Sequence, residues 1–206
     1  MKVIAALDNS LAAQPVLAAA RALATMLAAE VEAVHVSNNG MRVAQGIAEA
    51  AGVELRVLPA PTAKRLAEVA DEQDVRGLVL GARDTPTGRR PLGSTALALA
   101  TSLTKPVLVV PPDARIGSSL RRVLVPVEGG LSSAFAPRSI LRLAEHEDLD
   151  VIVLHVREER ALPAFTDQPQ HEQPAWSAEF LRRYCPWGIG RVRLEVRVGR
   201  AEDVVP

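Results

Sequence analysis

The stretch GARDTPTGRRPLGST, Gly81 to Thr95, carries residue types that can hold an anion. It follows an apolar run and precedes an Ala/Leu-rich one. Glycine lets a backbone approach a phosphate, and Ser94 and Thr95 add hydroxyl donors at the start of a helix, where unpaired N–H groups favour negative charge. Arg83, Arg89 and Arg90 surround the loop and can attract phosphate, whereas Asp84 repels it. The loop has no Gly-Lys-Ser/Thr and no GxGxxG, so it is neither a P-loop nor a dinucleotide fingerprint. A second reading stays open: Gly81 ends a strand, and Gly93-Ser94 only caps the next helix.

Asp8 is the other chemistry-bearing position. It ends the first apolar run, where its carboxylate can accept hydrogen bonds from a sugar or base, or cap the helix that follows. Glu128 takes the same place later in the chain. His35 and His155 lie inside apolar runs and read as core histidines; His146 and His171 have no metal-ligand spacing. The one cysteine, Cys185, permits neither an intrachain disulfide nor a thiolate metal cluster. No catalytic triad, supported acidic pair or nucleophile elbow is present, so no catalytic residue is assigned.

The elements that must position these residues alternate strictly. Lys2–Leu7 reads as a strand buried on both faces. Asp8-Asn9-Ser10 then precedes an Ala/Leu-rich helix beginning near Gln14, because Pro15 is tolerated only in a first turn. Strands follow at Val31–Val36, Val53–Leu58 (alternating, hence near an edge), Val75–Leu80 and Pro106–Val110. Helices are expected at 41–51, from Pro61-Thr62 to about Asp71, and from Gly93 to about Leu103. Strand–helix alternation of this kind gives a five-stranded parallel open α/β sheet with helices on both faces.

The pattern then restarts. Val3 to His35 spans 32 positions, as does Val123 to His155, and His-Val ends both second strands. Val192, Leu194 and Val196 repeat the alternation of Val53, Leu55 and Val57. The fold is therefore duplicated at an offset of about 120 residues. Residues 1–112 form the first domain, 113–120 a linker and 121–206 a partial second copy with a helix expected over 132–145. This copy has no counterpart of Leu66 to Val110, hence no glycine loop, and the natural chain is expected to be longer or completed by a partner.

Bulk composition excludes several functions. Twenty-four basic residues balance twenty-four acidic ones, and aromatics make up 3%. Neither a polyanion-binding charge excess nor a base-stacking surface is available, so no nucleic-acid partner is expected. No stretch approaches the ~18 apolar residues of a membrane helix. A soluble, cytoplasmic protein with no membrane partner is the expectation.

The strand-ending Asp8, the His35-Val36 strand end, the loop from Gly81 to Gly93-Ser94 and the closing Pro106-Val107-Leu108-Val109-Val110 together resemble the universal stress protein family. The resemblance covers Lys2 to Pro111 fully and Arg122 to Val205 in part, as in two-domain members. It implies an adenine nucleotide, ATP, with the base and ribose near Ala6, Asp8 and the backbone of Val36. It implies the phosphates on Gly81, Gly93, Ser94 and Thr95, flanked by Arg83 and Asp84. It also implies a homodimer through Pro106–Val110 and a regulatory role in stress adaptation; the protein partners are unknown. An interaction scaffold that binds no nucleotide is the alternative, and a weak ATPase ranks last. The family's second loop glycine is Asp84 here, and eight residues rather than nine precede Gly93. A carboxylate 4 Å from a phosphate charge costs roughly 4 kcal/mol at surface-like screening; the three arginines, or Mg²⁺ bridging Asp84 and phosphate, would offset it.

Overall fold

In the computed structural model, residues 1–37, 40–82, 92–117, 119–127, 149–157, 178, 182 and 191–204 are described. The chain divides into two units, Met1–Leu120 and Arg121–Pro206.

In the first unit, β1 (Lys2–Ala6), α1 (Ala13–Met26), β2 (Glu30–Val36), α2 (Arg42–Ala50), β3 (Leu55–Leu58), α3 (Thr62–Ala70), β4 (Val75–Gly81), α4 (Ser94–Ser102) and β5 (Val107–Val110) alternate without interruption. All strand pairings are parallel, in the order β3-β2-β1-β4-β5. The alternating strand, β3, is an edge, as its half-polar sequence requires.

Successive β1 side chains go to opposite faces, which splits the core in two. Val3, Ala5 and Leu7 pack with Val16, Leu17 and the small alanines of α1 and α2 on one face. Ile4 packs with Leu66, Val69, Leu78, Leu80 and Leu99 on the other, under α3 and α4. The alanines of α1 (Ala13, Ala19, Ala20, Ala24) are at most 3% exposed and let that helix lie close to the sheet. Pro15 stands third in α1, so its missing N–H costs no intrahelical bond.

In the second unit, β6 (Arg122–Val127), β7 (Asp150–Arg157) and β8 (Val192–Val198) form a parallel three-stranded sheet in sequence order, followed by the short α5 (Ala201–Val204). Its registers repeat those of the first unit: Val123 pairs with Val151 as Val3 pairs with Val31. The helix expected over 132–145 lies outside the described residues.

Candidate ligand cavity at the sheet switch point

Strand order reverses at β1, whose chain neighbour β2 lies on one side while β4 lies on the other. At such a switch point the helices leave in opposite directions and open a crevice at the carboxyl ends of the strands. Here it holds a cavity of about 480 Å³. Of the nine residues singled out in the sequence, Ala6, Asp8, Val36, Gly81, Gly93, Ser94 and Thr95 all line it. Arg83 and Asp84, with Arg89 and Arg90, lie outside the described residues, as do Glu128, His146, His171 and Cys185.

The wall has two chemistries. Ala6, Ala12, Val16, Leu66, Leu80 and Ala96 make an apolar body, while Asp8, Asn9, His35, Ser37, Thr62, Ser94 and Thr95 supply polar groups. Asp8 is the only charged residue among the described lining. Its Oδ1 accepts from the Ser10 N–H (3.1 Å) and the Ser10 hydroxyl (2.8 Å). Ser10 Oγ accepts from the N–H of Ala12, the residue just before α1, at 3.2 Å. The carboxylate is thus shaped by a local turn and exposed at the cavity mouth.

At the opposite end, α4 begins with Ser94. The N–H groups of Ser94, Thr95 and Ala96 have no partner among the described residues; the first intrahelical bond is Leu97 N–H to the Gly93 carbonyl at 3.0 Å. These three donors and the helix dipole suit an anion. Gly93 also makes a contact within the chain. Its N–H donates to the Ala82 carbonyl at 2.7 Å, and a Cβ there would sit 3.3 Å from that same oxygen. The absent side chain thus permits a close approach between Gly93 and Ala82.

Asn9 was not singled out in the sequence. Its Oδ1 accepts from the N–H groups of Val43 (2.8 Å) and Ala44 (3.3 Å), capping α2 from a position 34 and 35 residues away. Met41, the local N-cap, makes no such bond. His35 is 4% exposed, with Nδ1 2.8 Å from the Leu7 carbonyl and Nε2 3.1 Å from the Gly40 carbonyl. It is a core histidine with a face on the cavity. His155 repeats the first contact, its Nδ1 lying 3.0 Å from the Val127 carbonyl.

Among the described residues no group of His, Cys, Asp and Glu is arranged to hold a metal, and no helix is long and apolar enough to cross a membrane.

The family model described as the Universal stress protein family matches residues 41–111 and 119–206. No curated protein matches the chain. A universal stress protein from Archaeoglobus fulgidus DSM 4304 is 14% identical, covers 99% of this chain and 79% of its own, and has a TM-score of 0.64. A putative universal stress protein from Pseudomonas aeruginosa UCBPP-PA14, also 14% identical, covers 100% and 76% with a TM-score of 0.65. These two share the fold. A universal stress protein in complex with cAMP is 26% identical over 55% of this chain and 98% of its own, at a TM-score of 0.44.

Proposed function

The chain belongs to the universal stress protein family, and on that premise we propose that its first unit is an adenine-nucleotide-binding regulator of stress adaptation, with ATP as the ligand and little or no turnover. One observation carries the reading: a single cavity at the switch point gathers Ala6, Asp8, Val36, Gly81, Gly93, Ser94 and Thr95. The base and ribose take the end bounded by Ala6, Asp8 and Val36, where apolar wall and a free carboxylate oxygen suit a flat heterocycle and a hydroxyl. The phosphates take the first turn of α4. Residues 1–112 form the binding domain, residues 121–206 a second copy without a glycine loop, and Pro106–Val110 the homodimer contact.

Isothermal titration with ATP and Mg²⁺ tests this. Heat and a thermal shift are expected, and their absence at millimolar nucleotide would refute the reading. Asp84→Gly should tighten binding by as much as two to three orders of magnitude, the equivalent of about 3 to 4 kcal/mol. Gly93→Val should abolish it, by pressing on the Ala82 carbonyl and opening the loop. Asp84 is also what favours the alternative, a scaffold of the same fold that binds no nucleotide. In that case Asp84→Gly would create binding where the natural chain has none.

A further inference from the structure

His35 sits between two carbonyl oxygens, Leu7 at 2.8 Å and Gly40 at 3.1 Å. A neutral imidazole has one N–H and can donate to one of them only. The first proton is placed here on Nδ1, the nitrogen with the shorter carbonyl contact and the one whose contact recurs in His155 at 3.0 Å from Val127. In the neutral form Nε2 then turns a bare lone pair toward the Gly40 carbonyl. We propose that His35 is a proton-operated positioning residue: a second proton, taken from solvent onto Nε2, donates to the Gly40 carbonyl and holds Gly40 against the cavity, tightening it around the uncharged half of an adenine nucleotide. The binding half of this inference rests on the ligand reading above; the latch does not.

The surroundings favour such a device. Gly40 holds φ +69°, a conformation that glycine adopts without strain, and it lies three residues beyond Ser37 of the cavity wall. Asn9 already fixes the same segment from the other side, at Val43 and Ala44. The bond formed on protonation is charge-assisted, hence stronger than a neutral one. Among the described residues, few other charges adjoin His35. Asp8, on the β1–α1 turn, is the only charged described residue lining the same cavity. The lone charged residue of α1, Arg21, donates to the Ala51 carbonyl. In α2, Arg42 opens the helix and Glu49 accepts from Gln45. On β3, Val57 is the register partner of His35, and the neighbouring Arg56 is taken by Glu32 of β2 and Glu72.

Two measurements on the full chain decide it. The first follows the His35 ring and the Gly40 amide by NMR from pH 8 to 5.5 without ligand. A shared midpoint is expected; a Gly40 resonance that ignores the His35 midpoint overturns the latch. The second titrates adenosine, chosen because it lacks phosphates that ionise near pH 6. Its affinity should be about fivefold tighter at pH 5.5 than at pH 8, the low end of ordinary coupling factors. That dependence should vanish in His35→Gln and persist in His155→Gln. A flat profile in the unmodified protein, or a slope that survives His35→Gln, overturns the positioning role. Failure of adenosine to bind at either pH refutes the ligand reading and the tightening with it, while the Gly40 resonance still decides the latch.

Discussion

Asn9 shows what a single side chain does at this site, and why sequence reading passes over it. Within Asp8-Asn9-Ser10 all three types suit a cap, so local pattern cannot say which residue caps what. Ser10 bonds the turn just before α1, Asp8 shapes that turn with Ser10, and Asn9 caps a helix that begins more than thirty residues later. Only the folded sheet, which sets the ends of β1 and β2 side by side, creates that contact. Caps of this kind contribute about 1 kcal/mol. Asn9→Ala should therefore lower unfolding free energy by about that amount in urea titration. Asn9→Asp should retain it, because a carboxylate oxygen accepts the same two N–H groups and favours the helix N-terminus. An Asn9→Ala protein as stable as the parent would mean that the two N–H groups find water equally well. The residues whose roles are backbone-local, Gly81 at a strand end and Ser94 and Thr95 at a helix start, were legible from sequence because their neighbours in the chain define their position.

The elements themselves were legible nearly throughout the first unit, since buried parallel strands and Ala/Leu-rich helices differ in both length and composition. Boundaries moved by one or two residues where caps and ladders end. The β3 strand is four residues rather than six, because Val53 and Glu54 serve as the connection from α2. One helix end was not legible. Helix α1 closes with Ala29 N–H to the Ala24 carbonyl (2.9 Å) and Ala28 N–H to the Thr25 carbonyl (3.3 Å), a Schellman arrangement normally built on glycine. Here Ala28 holds φ +48°. Relief of that strain exceeds the extra chain entropy of glycine, so Ala28→Gly should stabilise the protein by about 0.5 to 1 kcal/mol, read as a higher urea midpoint.

A second element-scale expectation concerns the start of the sheet. Lys2 of β1 bonds Glu32 of β2 (2.9 Å) and Asp74 just before β4 (3.3 Å). The bond to Glu32, then that to Asp74, raises the Lys2 ammonium above its usual range, and the bond to Lys2 holds the Asp74 carboxyl below its own. The raised group contributes stability below its unfolded value, lost as pH rises through the folded one. The depressed group contributes above its unfolded value, lost as pH falls through the folded one. The bridge is thus complete at neutral pH, weakens in acid below about pH 4 and weakens again in alkali above about pH 10. The partners remain partly exposed to solvent, so the effect is small. The gap in urea midpoint between the parent protein and Lys2→Met should be largest at pH 7 and narrow at pH 3; a gap that widens in acid would contradict the assignment.

At the scale of the whole molecule, the duplication makes a prediction that neither unit makes alone. Both units bring the same first two strands and the same histidine-to-carbonyl contact into register, at distances of 2.8 and 3.0 Å. What differs is the segment that in the first unit supplies β4, the glycine loop, α4 and β5. Residues 121–206 contain no stretch equivalent to Gly81 and Gly93-Ser94-Thr95. A cavity at a switch point needs a strand on each side of the central one, and the anion needs the helix that follows the second of them. If the first unit binds adenine nucleotide, residues 1–206 should therefore bind one equivalent and not two. Titration calorimetry on protein of known concentration reads this directly, and Gly93→Val in the first unit should remove all of the signal. A stoichiometry of two per chain, or one site that survives Gly93→Val, would place binding in the second unit and overturn the assignment of the phosphates to α4.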